Sequence, residues 1–148
     1  MEPSITTIIL GEDDDGHAHL ICKNLERAGF DGQVVRCEDG QEVLRYLSEQ
    51  PRPVGAGSRR LLVLDINMPK LDGIGVLERL RQDPEHQRLP VIMLTTSDSP
   101  QEVQRCYELG CNVYVTKPVV YDEFVEAMQR LGRFLKIARF PEDAGRDD

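Results

Sequence analysis

The chain has 148 residues, 40% of them hydrophobic and 30% charged, and a formal net charge of −8. That length fits one domain, which buries roughly 68–70% of its unfolded surface without needing disulfide staples. The acidic balance argues against nucleic acid as a direct partner, since phosphate binding requires a basic patch, and no 18-residue apolar stretch is present to cross a bilayer.

Met1-Glu2-Pro3-Ser4 has no basic region and no long apolar run, so the chain reads as soluble and cytoplasmic. The first strand is predicted over Ile5–Leu10, a β-branched apolar run that ends in Gly11-Glu12-Asp13-Asp14-Asp15. Ala18, Ile21, Leu25 and Ala28 recur at helical spacing, which predicts a helix over Gly16–Ala28 that stops at Gly29. Val34-Val35 forms a short second strand. A second helix over Gln41–Glu49 turns Val43, Leu44 and Leu47 to one side. Pro51–Ser58, with two prolines and two glycines, reads as a surface loop. The third strand, Leu61–Leu64, is apolar throughout, as in a strand buried on both faces, and ends in Asp65. Pro69 stops the strand, and Asp72-Gly73 turns into a helix over Ile74–Gln82, with Asp72 as its N-cap and Ile74, Leu77 and Leu80 inward. Asp83-Pro84 closes that helix. Val91–Leu94 is a fourth buried strand ending in Thr95-Thr96-Ser97-Asp98, and Pro100 opens a helix that runs to Leu109 and Gly110. Asn112–Val115 is the fifth strand, ending in Thr116-Lys117-Pro118. The last helix, Tyr121–Ala138, carries the stripe Phe124, Met128, Leu131 and Leu135. Arg139–Asp148 is a polar tail.

Five strand–helix units in succession predict an α/β domain: a doubly wound, five-stranded parallel sheet with helices on both faces. Ligands of such sheets bind outside the carboxyl ends of the strands. Those ends bring Glu12 and Asp13 from the first strand, Asp65 from the third, Thr95 from the fourth and Lys117 from the fifth. Converging carboxylates repel one another, and a hard divalent cation such as Mg2+, or Mn2+ in its place, removes the repulsion. The backbone carbonyl of Asn67 is a further candidate ligand. Thr95 can donate to an anionic oxygen and Lys117 supplies a point charge suited to phosphate. Cation, hydroxyl and ammonium around one carboxylate are what phosphoryl transfer onto that carboxylate needs.

Each residue also has a plainer use. The acidic run suits the positive end of the first helix, Thr95 can cap the fourth helix, and a loop lysine is commonly solvated. What favours chemistry is the coincidence of place. His17 and His19, two apart on a helix, do not share a face and read as ordinary surface or partly buried residues. His86, in a polar loop, carries no signal. Cys22, Cys37, Cys106 and Cys111 have no paired metal spacing and read as reduced thiols.

Glu12-Asp13, Asp65, Asn67-Met68-Pro69, Asp72-Gly73, Thr95 and Lys117-Pro118 together resemble the receiver domain of two-component response regulators. Thr95 follows Asp65 by 30 residues and Lys117 follows it by 52, as in that family. The resemblance covers 5–137, leaves 138–148 as the tail and no output domain, and implies a flavodoxin-like (βα)5 fold. It implies that Asp65 accepts a phosphoryl group from a phosphohistidine of a sensor histidine kinase, as a self-catalysed transfer rather than as multiple-turnover catalysis. Asp13, Asp65 and the Asn67 carbonyl would hold Mg2+, with Glu12 acting through water. Lys117, Thr95 and the amide of Thr96 would contact the phosphoryl oxygens, and Thr95 and Tyr114 would form a switch pair. The segment before the third strand, Leu94-Thr95-Thr96-Ser97 and Gly110-Cys111-Asn112-Val113-Tyr114 resemble small regulators serving phytochrome-type photoreceptor kinases. Gly11, where the family has an apolar residue, departs from its pattern and is expected to loosen the end of the first strand, and Val119, after Lys117-Pro118, departs from it as well. Output through protein contacts is expected, with a homodimer through the helix 4–strand 5–helix 5 face suggested by Phe134, Ile137 and Phe140. The competing readings are a Mg2+-dependent phosphatase working through an aspartyl phosphate, weakened by Asn67 where a second carboxylate is needed, and a binding module that keeps the fold without the chemistry.

Overall fold

The computed structural model describes residues 5–50 and 59–140, so the predicted loop Pro51–Ser58 and the tail beyond residue 140 lie outside the described residues. The elements are β1 (Thr7–Gly11), α1 (Asp15–Arg27), β2 (Gln33–Cys37), α2 (Gly40–Glu49), β3 (Arg60–Leu64), α3 (Gly73–Gln82), β4 (Val91–Thr95), α4 (Pro100–Leu109), β5 (Val113–Thr116) and α5 (Tyr121–Ile137). The strands form one parallel sheet in the order β2-β1-β3-β4-β5. This is the predicted doubly wound architecture.

The continuous apolar runs follow from burial on both faces. Ile8, Leu10, Leu61, Val63, Ile92 and Leu94 pack against Ala18, Ile21 and Leu25 of α1 and Phe124, Met128, Leu131 and Leu135 of α5. Their neighbours Ile9, Leu62, Leu64, Val91 and Met93 face the other way, against Val43 and Leu47 of α2, Val76, Leu77 and Leu80 of α3 and Cys106 of α4. Each such side chain contributes about 1.5–3 kcal/mol relative to exposure.

Helix starts are fixed locally. Asp14, Asp39, Asp72 and Ser99 cap α1 to α4, each accepting a backbone N–H from the residue three positions on. The α4 cap is therefore Ser99 and not Thr95. At its far end α4 stops on Gly110, at φ 101°.

Three expectations change. Gly11 does not loosen the end of β1: it lies inside the strand, and a Cβ there would come 2.8 Å from Leu64 Cδ1 and 3.2 Å from Val43 Cγ2. His86 is buried, its Nδ1 2.8 Å from Asp83 Oδ2, closing the turn after α3. Phe140 is half-buried: it packs on the α1/α5 side of its own chain and its carbonyl accepts from Arg59 at 3.1 Å, so it offers only part of its ring as free apolar surface. Phe134 and Ile137 remain exposed.

Candidate functional site

The sheet order reverses direction between β1 and β3, which opens the crevice expected of such folds at the strand ends. The Asp65 N–H donates to the Gly11 carbonyl at 3.0 Å, which locks the two strand ends side by side. Beyond them one carboxylate oxygen each from Glu12, Asp13 and Asp65 lies within 4.8 Å of the others. Glu12 is 1% exposed and Asp65 8%, whereas Asp13 is exposed to solvent. Lys117 enters from the end of β5 at 2% exposure. Its ammonium donates to Glu12 Oε1 and, at 2.9 Å, to Asp65 Oδ2.

The local sequence explains the placement. The Lys117 N–H donates to the Thr95 carbonyl at 2.7 Å, which fastens the β4 and β5 ends. Glu12 is turned inward: its Oε2 accepts the Asp14 N–H at 3.1 Å and its carbonyl accepts Arg36 Nε at 2.9 Å. Arg36 also reaches Asp15 Oδ1 at 2.8 Å, so one β2 guanidinium braces the acidic loop at both ends. Burial pushes the Glu12 carboxyl up from its ordinary value, and the bonded ammonium of Lys117 opposes that only in part.

On the other side, the Asn67 N–H donates to Asp65 Oδ1 at 3.3 Å, and the Gly73 N–H returns to the Ile66 carbonyl at 2.8 Å. Gly73 is required there: a Cβ would sit 2.1 Å from the Asp65 carbonyl oxygen. Gly73→Ala is expected to cost about 1–3 kcal/mol by overpacking and to slow any reaction at Asp65, readable as a lower Tm together with slower phosphoryl uptake.

The structure thus gathers Glu12, Asp13, Asp65 and Lys117. Thr95, fully buried, sits at the adjacent strand end, with its Oγ1 accepting from Ser97 N at 3.5 Å, while Thr96 is exposed beside it. Tyr114 lies further down β5, half-buried, and its hydroxyl donates to the Ser97 carbonyl at 2.7 Å. That bond ties β5 to the loop after Thr95. Three formal negative charges against one positive leave a deficit that one divalent cation balances, and the donor oxygens are of the hard kind such cations prefer.

A model of the response regulator receiver domain matches residues 8–129. The chain belongs to the response regulator receiver family. A receiver domain from Rhodospirillum rubrum is 41% identical with a TM-score of 0.85, over 94% of this chain and 99% of that one. The response regulator Rcp1 of Synechocystis, solved in its Mn2+-bound form, is 32% identical with a TM-score of 0.81, over 92% of this chain and 99% of Rcp1. The phosphorylated cyanobacterial phytochrome response regulator RcpA is 30% identical with a TM-score of 0.81, over 94% of this chain and 100% of RcpA. The function is accordingly that of a phosphoacceptor in two-component signalling, a receiver domain that works with histidine kinases and a divalent cation.

Two site residues of this receiver were not legible in the sequence. Arg36 lies one strand away from the loop it braces. His17 belongs to the first turn of α1, yet its Nδ1 stands 3.3 Å from Lys117 Nζ. The only sequence signal for either is proximity to a strand end once the sheet order is known.

Proposed function

We propose that Asp65 is the phosphoryl acceptor and that the group comes from the phosphohistidine of a phytochrome-type sensor kinase. The observation that carries this reading is the position of the Asp65 carboxylate, buried yet not sealed, shared between the acidic cluster and the Lys117 ammonium. One Asp65 oxygen attacks phosphorus as the P–N bond to the histidine breaks, and the electron pair leaves with the imidazole. Lys117 holds positive charge beside the oxygens that gain negative charge, and Thr95 offers a hydroxyl at the neighbouring strand end. Glu12, Asp13, Asp65 and the Asn67 carbonyl are the groups that would hold Mg2+, or Mn2+ in its place; when bound, the cation neutralises charge on the transferred group. The Thr96 amide, next along the chain from Thr95, is assigned as a further donor. The domain is assigned to residues 5–137.

The test is labelling with acetyl phosphate and Mg2+, followed by mapping of the modified residue, and then phosphotransfer from a panel of sensor kinases with photoreceptor kinases first. Labelling at Asp65 is the expected result; labelling at another residue, or none, rejects the assignment.

Thr95 and Tyr114 are assigned as the switch pair, because the Tyr114 hydroxyl is already bonded to the loop that follows Thr95. Signalling then passes through the surface of α4, β5 and α5. Val119, Val120, Tyr121, Phe134 and Ile137 are exposed there or beside it, which supports a homodimer through that face. Sedimentation of the full chain at rising concentration checks this: Phe134→Glu should shift a dimer towards monomer, and a monomer at every concentration rejects the dimer. No helix among the described residues is long and apolar enough to cross a membrane, and a cytoplasmic location fits partnership with a kinase's phosphohistidine.

A further inference from the structure

We infer that His17 is a positioning residue for Lys117, holding the lysine ammonium so that its charge stays aimed at the accepting carboxylate. This rests on the assignment of Asp65 as acceptor and Lys117 as its charge partner.

A lysine ammonium has three N–H donors and no acceptor. Lys117 Nζ has three partners: Glu12 Oε1, Asp65 Oδ2 at 2.9 Å and His17 Nδ1 at 3.3 Å. Because Nζ can only donate, a hydrogen bond here requires Nδ1 to be the lone-pair nitrogen, with the ring proton on Nε2. The ring is held by a neighbour across the fold: the imidazole stacks on Phe124 of α5 with centroids 5.2 Å apart and planes 30° from parallel. The backbone N–H of His17 donates to Asp14 Oδ1 at 2.9 Å, which fixes the first turn of α1 that carries the ring. Phe124 is buried, so the surface behind the ring is part of the core.

Both carboxylate partners of Lys117 have other duties. Glu12 and Asp65 belong to the acidic cluster, and Asp65 is the reacting group. His17 has neither duty. It keeps one N–H of Lys117 engaged while another turns from Asp65 to the oxygens of the incoming phosphoryl group. A long, flexible ammonium side chain gains most from such an anchor, since orientation must otherwise be bought from its own rotamer freedom.

The test compares His17→Phe, which keeps a ring against Phe124 and removes the acceptor, with His17→Asn, which drops the ring and returns an acceptor oxygen close to the Nδ1 position. Initial rates of labelling by acetyl phosphate and Mg2+ are measured across donor concentration for both variants, wild type and Asp65→Asn. His17→Phe should lower the limiting rate about tenfold, the scale of one hydrogen bond to a charged group, with the half-saturating donor concentration and the calorimetric Mg2+ affinity unchanged. His17→Asn should recover most of the rate. His17→Ala replaces the phenylalanine variant if that one does not fold. A wild-type limiting rate in the variant lacking the acceptor, or an equal loss in His17→Asn, overturns the inference while Asp65 remains labelled. An unlabelled wild type overturns the underlying site assignment, and the inference with it.

Discussion

Asp65→Asn is expected to give a folded chain that acetyl phosphate and Mg2+ do not label. The carboxamide nearly matches the carboxylate in volume, so the packing around β3 is kept. Its oxygen can still accept from the Asn67 N–H, which meets Asp65 Oδ1 at 3.3 Å in the wild type. What disappears is the proposed nucleophile, because the reaction needs an anionic oxygen to form the acyl phosphate. A second effect accompanies the first. Asp65 is one of three carboxylates whose oxygens lie within 4.8 Å of one another, so its charge is also expected to serve the cation. Wild-type protein should gain about 2.7 kcal/mol of stability at a Mg2+ concentration 100-fold above Kd, and Asp65→Asn should lose most of that gain. Thermal melts with and without Mg2+ measure it. A variant that is still labelled at wild-type rate would remove Asp65 from its role, and an unchanged Mg2+ response would remove it from the cation site.

Lys117→Met is expected to damage both chemistry and stability. The side chain is 1% exposed and bridges Glu12 and Asp65. Methionine fills much of the stem volume but leaves two carboxylates without their shared ammonium. Removing one partner of a buried charge pair costs about 3–5 kcal/mol, and removing a donor from a charge-stabilising site costs about 100-fold or more in rate. The stability loss should depend on pH, with a definite sign. The Glu12 carboxyl already lies above its ordinary value because of burial, and Lys117 opposes that rise. In the variant the native state therefore holds its Glu12 proton to higher pH than the unfolded chain does. Stability then falls as pH rises from the unfolded glutamate value through the raised native one. Melts across about pH 4 to 8 should show the variant nearest to wild type at the acid end and furthest from it at neutrality. A constant difference across that range would mean that Glu12 is not the group left uncompensated.

Much of this protein is written in local patterns. The apolar runs Leu61–Leu64 and Val91–Leu94 specify strands covered on both faces, since a one-sided strand would alternate. The stripe Phe124, Met128, Leu131 and Leu135 specifies one buried face of α5, and all four are buried. Asp72 and Pro100 mark helix starts because their chemistry acts within one turn. The acceptor candidate, the acidic pair and the lysine follow from the same logic: in a parallel sheet every strand delivers its next residues to the same edge.

What the tertiary structure alone decided is how those residues partition the work. The run Glu12 to Asp15 looks uniform, yet Glu12 is buried against Lys117, Asp13 faces solvent with the cluster, Asp14 caps α1 and Asp15 pairs with Arg36. Nothing in the run distinguishes four adjacent acids, because their difference lies in which strand or helix stands opposite each. His17 shows the same limit: its two decisive neighbours, Lys117 and Phe124, are at least 100 residues away along the chain. Periodicity and capping are short-range physics and can be read residue by residue. The meeting of a helix's first turn with a distant strand end depends on sheet order and on the packing of α1 against α5, which exist only once the whole chain has closed.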